Sequence, residues 1–253
     1  MRTTTLAVLA AAAHASTAER APESVNGYYS WNWGKGSSPK GANNGVAFTG
    51  LINVRRAIAG YPRTGAHSWC CPELEGTAWI SLGGGNAAGE FTAQSLVAIA
   101  SKSNTSAIVA ANYSGVMFDV EEVVGPAATM VPLFAEAFAA CKAAGLAVGV
   151  TTSHSAPYQT DSPADAVALV KAWAADASID ILSPQLYSSG SEAAPEFDET
   201  ASCKDAGCTW ELYVGAKAAF APSIVEPSQL DAVTAYFTAK KIRTAGFFEW
   251  KQE

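Results

Sequence analysis

The sequence predicts an α/β fold, a single-domain (β/α)8 barrel of the TIM type. Three observations predict it. Apolar strand-like runs alternate with helical stretches from Val25 to Trp250. Some seven or eight such strands share roughly 230 residues, which suits a barrel better than an open sheet. Polar and aromatic residues collect where the runs end, which is the catalytic face of a barrel: Trp31, the turn Gly83-Gly84-Gly85, Asp119 and Glu121, His154, Gln185 and Tyr187, and Glu249 with Trp250.

The elements follow in order. Val25–Trp31 is an aromatic-rich first strand, and the Gly, Ser, Pro and Asn residues up to Asn44 form a loop. Val46–Val54 reads as a second strand, with helix as the alternative, and Gly60–Gly76 as an irregular excursion. Thr77–Leu82 is a strand stopped by three glycines, and Phe91–Ser101 and Ser106–Asn112 are helical. The strand Gly115–Asp119 follows. Ala127–Ala144 is an Ala-rich helix with Gly145 as its stop. Ala147–Thr152 is a strand. Ser162 caps, and Pro163 opens, a helix running to about Ala177. Ile179–Tyr187 is a strand with a polar end, and a loop runs from there to Cys208. Another apolar run spans Lys217–Ile224, a helix Pro227–Lys240, and a last strand Thr244–Trp250. Three residues follow Trp250, too few for the expected closing helix.

Composition narrows the function. The chain has 253 residues, 49% of them hydrophobic, and a net charge of −7. No basic stripe exists, which argues against nucleic acid and membrane as partners. Residues 1–18 have the form of a secretory signal peptide: a basic start at Arg2, an apolar run Leu6–Ala13, and small-residue cleavage patterns at Ala13-His14-Ala15 and Ser16-Thr17-Ala18. Residues 19–253 are then one secreted, monomeric domain. Cys203 and Cys208 flank a short loop and can close a disulfide, whereas the adjacent Cys70 and Cys71 call for separate partners or stay partly free. Cys141 reads as a buried thiol. Three scattered His and no Cys-x-x-Cys pair give no metal-ligand spacing. Asn104-Thr105-Ser106 and Asn112-Tyr113-Ser114 are glycosylation sequons, the second close enough to the acidic strand to be shielded.

The central stretch is Ser114–Glu122. Val116, Met117 and Phe118 suit a strand covered on both faces. Asp119 and Glu121 are two residues apart, so an extended chain points both carboxyls to one side and Glu122 to the other. Two acids that close beside apolar neighbours retain a proton at neutral pH, as a general acid requires. The plainer alternative is a strand end running into a solvated acidic loop. Trp79 and Trp173 are expected between helix and sheet, Trp31 and Trp33 on one common face, and His154 either in the cleft or on a surface loop. Trp210 and the Cys203–Cys208 loop either wall the cleft or cap the barrel.

These motifs together resemble glycoside hydrolase family 18, the chitinase group. Its acidic motif, Asp-Gly-x-Asp-x-Asp-x-Glu, is met by Ser114-Gly115-Val116-Met117-Phe118-Asp119-Val120-Glu121, in which the Gly, the last Asp and the Glu match. Its Ser-x-Gly-Gly motif is met by Ser81-Leu82-Gly83-Gly84. Pro184-Gln185-Leu186-Tyr187-Ser188 is similar to the Gln-Phe-Tyr-Asn of short plant-type enzymes, and Phe247-Phe248-Glu249-Trp250 to the strand that ends in a sugar-stacking Trp. The resemblance covers nearly the whole mature chain.

It implies hydrolysis of β-1,4-linked N-acetylglucosamine, as chitin or its oligosaccharides, without metal or organic cofactor. Glu121 is the implied acid, the substrate's acetamido oxygen the nucleophile, and Asp119 and Tyr187 the residues that hold the acetamido group. Gln185, Trp250 and Trp31 are implied sugar contacts, with Ser81, Gly83 and Gly84 on the neighbouring strand. Met117 departs from the motif by replacing the inner Asp, and Ser114 and Ser188 replace two further polar residues. That departure keeps open a chitinase-like lectin or inhibitor that binds without cleaving. An endo-N-acetylglucosaminidase acting on N-glycans is the related enzymatic alternative.

Overall fold

The computed structural model describes residues 24–32, 39–63 and 71–250. The expected signal peptide, Trp33 and Cys70 lie outside them. Nine strands form one all-parallel, curled sheet: β1 (Val25–Trp31), β2 (Asn44–Phe48), β3 (Thr77–Gly83), β5 (Gly115–Asp119), β7 (Ala147–Thr151), β8 (Ile181–Leu182), β9 (Ala219–Phe220), β10 (Ser223–Ile224) and β11 (Gly246–Glu249). Their order is β10-β11-β1-β2-β3-β5-β7-β8-β9. Two short strands, β4 (Phe91–Thr92) and β6 (Val123–Val124), pair separately. Six α-helices are found among the described residues: α1 (Val54–Gly60), α2 (Ala93–Ala100), α3 (Lys102–Ala110), α4 (Ala127–Ala143), α5 (Pro163–Ala175) and α6 (Leu230–Ala239). The class is α/β with a TIM-like sheet, but eight equal strand–helix units are not what forms.

Proline accounts for the departures at the sheet's ends. The outermost strands of the order, β9 and β10, are consecutive in the chain, joined only by Ala221 and Pro222. Pro222 has no N–H to donate to a ladder, so the expected run across 217–224 splits. Ala221 N still donates to Leu182 O at 2.9 Å, and Pro222 O accepts from Phe248 N at 3.0 Å. Likewise the strand expected over Ile179–Tyr187 shrinks to β8 because Pro184 interrupts it, with pairing resuming at Gln185 through bridges to Ser153 and Ser223. The second strand also ends earlier than expected, at Phe48, and Val54 opens a helix capped by Asn53, whose Oδ1 accepts from Arg56 N at 3.1 Å.

Local chemistry sets the helix starts. Thr92 and Ser95 form a reciprocal capping box at α2, and Ser162 with Pro163 opens α5. The α4 helix begins after Pro126 with no cap of its own. Its first amide, Ala127 N, donates instead to Asp165 Oδ1 at 2.6 Å, so one carboxylate from α5 serves the starts of two helices.

The sheet is packed on both faces, as period-2 alternation demands. On β5, Val116 and Phe118 face the helices, where Phe118 meets Phe138 of α4 edge-on at 4.9 Å. Burying such a ring stabilises the fold by roughly 1.5–3 kcal/mol. Met117 faces the opposite way, into an interior cluster with Tyr29, Val46, Phe48, Trp79 and Phe248. Small residues make room for those side chains. A Cβ on Gly115 would lie 2.4 Å from Trp79, and one on Gly149 2.7 Å from Met117 Sδ. Trp79 therefore belongs to the interior, with its Nε1 donating to Asn44 Oδ1 at 2.9 Å, and not to the helix–sheet layer expected for it. Trp173 does occupy that layer, against Phe134 at 5.5 Å.

The Cys203–Cys208 disulfide forms, and both sulfurs and Trp210 are buried in the outer core, so this loop caps the fold. Cys71 is disulfide-bonded and Cys141 is a free, buried thiol. Asn112 is exposed at φ 63°, not shielded as its place before the acidic strand suggested. No helix among the described residues is long and apolar enough to cross a membrane.

Candidate active site

The C-terminal ends of β3, β5, β7 and the segment after β8 meet at one place. The acidic strand delivers Asp119 beside Gly83, its register partner on β3, and Thr151, its partner on β7. Gly83 has φ 109°, and a Cβ there would lie 2.3 Å from Asp119 O, so only glycine lets β3 turn away at this level. Gly84 N then donates to Asp119 O at 2.9 Å. Ser81, two residues earlier, is buried at the level of Met117.

Asp119 and Glu121 do face one place, and a single side chain ties them together. Gln185 Nε2 donates to Asp119 Oδ1 at 3.2 Å and to Glu121 Oε1 at 3.3 Å. Glu121 Oε2 accepts from Ser153 Oγ at 3.0 Å and lies against Gly85, whose absent Cβ would come within 2.8 Å of it. Glu122 turns elsewhere and accepts from Tyr158 Oη.

Burial raises the pKa of Asp119 well above the ordinary carboxylate value, and the charge of Glu121 raises it further. Glu121 is raised too, chiefly by burial, with the donors Gln185, Ser153 and Gly85 opposing the shift. The pair therefore keeps a proton above the pH at which free carboxyls lose theirs. Gln185 and Ser153 can serve either protonation state, since an amide or hydroxyl donor suits a carboxylate and an acid's carbonyl oxygen alike.

Tyr187 lies in the same pocket and feels the charges of Asp119 and Glu121. Burial, before those charges, raises its pKa well above that of a free phenol, so the hydroxyl stays protonated. Its ring stacks on Trp250, with centroids 5.4 Å apart and planes at 23°. Trp250 in turn contacts Trp31 at 4.8 Å and Phe48 at 5.1 Å, which makes one aromatic wall from β1, β2 and β11. Gly190, at φ 79°, passes so close to the Trp250 indole that a Cβ would lie 2.1 Å from Nε1.

Four buried polar atoms here, Asp119 Oδ2, Tyr187 Oη, Ser81 Oγ and Thr151 Oγ1, have no hydrogen-bond partner among the described residues, and the first two belong to the side chains that line the pocket with Glu121. Ser223 Oγ, at the end of the same pocket, is engaged by Tyr29 Oη at 3.1 Å and Ser183 Oγ at 2.9 Å; it is near enough to Tyr187 to oppose the rise in its pKa but not within bonding geometry of Tyr187 Oη. An unmet carboxylate oxygen and an unmet phenol cost stability unless a ligand supplies a donor to the first and an acceptor to the second. No group of three metal-ligating side chains occurs among the described residues.

The structure thus brings Asp119, Glu121, Gln185, Tyr187, Trp250 and Trp31 together, with Ser81, Gly83 and Gly84 along the adjoining strand. His154 sits at the rim at φ 45°, its Nε2 3.3 Å from Glu196 Oε2. Sequence reasoning missed Ser153 and Tyr158, and it placed Gly85 on this face only as part of the Gly83-Gly84-Gly85 turn. Ser153 was reachable by register: Asp119 is level with Thr151, so two residues further on Ser153 is level with Glu121. A scan of the sequence against protein-family models finds no match, and a search of curated proteins finds none.

Proposed function

We propose that this chain is a secreted glycoside hydrolase of β-1,4-linked N-acetylglucosamine, working by substrate assistance. One observation carries the reading: Asp119 Oδ2 and Tyr187 Oη, without a partner among the described residues, lie in the pocket of an Asp119–Glu121 pair that retains a proton, which the mechanism needs on Glu121 when the bond breaks. An acetamido group offers an N–H and a carbonyl oxygen in one rigid plane, which matches an acceptor and a donor set side by side. The fold it rests on is a (β/α)8 barrel in which residues 219–224 act as one strand broken at Pro222. The hydrogen bonds from that segment to Leu182 and Phe248 support that view.

In the first step Asp119 accepts from the acetamido N–H and Tyr187 donates to its carbonyl oxygen. That oxygen attacks the anomeric carbon, the glycosidic bond breaks, and Glu121 gives its proton to the departing oxygen. The resulting oxazolinium cation is stabilised by the Asp119 carboxylate. In the second step Glu121 takes a proton from the water that attacks the anomeric carbon, the bond from that carbon to the acetamido oxygen breaks, and the acetamide is restored with net retention. Trp250 supplies the apolar face against which the sugar ring stacks.

Met117 favours a second reading. An apolar residue stands where the family pattern has an acid, which leaves Asp119 with Gln185 as its one side-chain hydrogen-bond partner among the described residues and would reduce the site to carbohydrate binding. The deciding experiment is hydrolysis of tetra-N-acetylchitotetraose by wild type and Glu121→Gln. The hydrolase reading expects turnover by the first and a loss of at least about a thousandfold in the second. Equal inertness with retained binding to chitin beads would leave the binding protein.

A further inference from the structure

The wall of Tyr187 and Trp250 accounts for one side of Glu121. The other side carries a feature that the proposed chemistry has not used. Among the described residues, Tyr158 is the one aromatic side chain in the set of exposed large hydrophobics, at 38%. Exposed rings are usually mobile, but the backbone of this one is fixed. Tyr158 O accepts from Ser202 Oγ at 2.7 Å. The next residue, Gln159, bridges to Glu122, accepts from Val123 N at 2.9 Å and donates to Glu121 O at 3.3 Å. The phenol donates to Glu122, so the side chain is pinned at both ends.

Its position relative to the acid is defined. Glu121 Oε1 faces Gln185, Asp119 and the pocket of Tyr187. Glu121 Oε2 faces Ser153 and Gly85. Tyr158 Oη lies against Gly85 as well, 3.3 Å from where a Cβ would be. A proton donor between two aromatic surfaces has one surface for each sugar flanking the bond it protonates. This held ring is 38% exposed and belongs to neither hydrophobic cluster of the fold. It is suited instead to stacking on the face of a pyranose, at small entropic cost because it is already ordered.

We infer that Tyr158 is the platform for the sugar on the leaving-group side of Glu121, and that the favoured substrate therefore extends beyond the cleaved bond. The inference rests on the hydrolase reading above. Its test compares two substrates in wild type, Tyr158→Phe and Tyr158→Ala. Tetra-N-acetylchitotetraose has sugars on both sides of the cleaved bond. The β-fluoride of di-N-acetylchitobiose has only fluoride on the leaving side. Tyr158→Ala should raise KM for the tetraose roughly tenfold and leave kcat/KM for the fluoride unchanged, which also shows that the variant is folded. Tyr158→Phe, which keeps the ring and loses the bond to Glu122, should stay near wild type on both. Equal losses on the two substrates, no loss on the tetraose, or a Phe variant as impaired as the Ala variant would overturn the inference while leaving the hydrolase reading intact. A wild-type protein that turns over neither substrate would remove the hydrolase reading and the inference with it.

Discussion

Replacing Tyr187 by Phe should make the protein more stable and less active at once. The hydroxyl is buried, with the residue 5% exposed, and has no hydrogen-bond partner among the described residues, so it carries a desolvation penalty of about 1–3 kcal/mol in the unliganded protein. Phe removes that penalty, keeps the ring stacked on Trp250, and leaves only a small void where the oxygen was. The net gain expected is about 1 kcal/mol, or about 2–4 °C in Tm for a chain of this size. On the proposed mechanism the same change deletes the donor to the acetamido carbonyl, a hydrogen bond that would position the nucleophile. That loss should lower kcat/KM on chito-oligosaccharides by about ten- to a hundredfold. Urea unfolding and a reducing-end assay on the same preparations read both effects. A destabilised variant would mean that the hydroxyl already has a structural partner. Undiminished hydrolysis would mean that it does not touch the substrate. Either result refutes the reasoning.

Three further outcomes follow from the same geometry. Asp119→Asn should gain stability over wild type as pH rises. Folded Asp119 has a raised pKa while the unfolded value is about 3.9, so the folded state holds the proton more tightly. Its contribution is therefore greatest below about pH 4 and is lost as pH climbs toward the folded pKa, a loss the amide does not suffer; urea titrations at pH 4 and pH 8 that give equal differences would contradict this. Gly85→Ala should cut turnover by about a hundredfold with little change in Tm, because the new methyl group displaces the flexible Glu121 carboxylate and no backbone. Reducing the Cys203–Cys208 bond, which spans five positions, should cost about 2 kcal/mol of stability in urea unfolding, since the loop it closes packs on the outer core.

Much of this architecture could be read from local chemistry. The first strand runs over Val25–Trp31 as its aromatic pattern suggests, and Ser162-Pro163 starts a helix because cap and fixed φ act within one turn. The convergence of Asp119 and Glu121 follows from strand parity alone. What escaped depended on the third dimension. Two-residue strands such as β8 and β9 are too short to show a period, and prolines at 184 and 222 break ladders whose partners are remote in sequence. Trp79 could be assigned to either face until Gly115 and Gly149 revealed which face had room. Tyr158 lies on a connection whose course is set by the pairing of Gln159 with Glu121–Val123, a contact no neighbouring residue announces.

The account turns on Asp119 Oδ2 and Tyr187 Oη receiving an acetamido group, and binding calorimetry on Glu121→Gln tests that without turnover. The ligands are tri-N-acetylchitotriose and the same trisaccharide with free amines. The acetylated sugar should bind at least tenfold tighter, and Tyr187→Phe in the same background should erase most of that difference. Equal affinities for the two sugars would contradict the account.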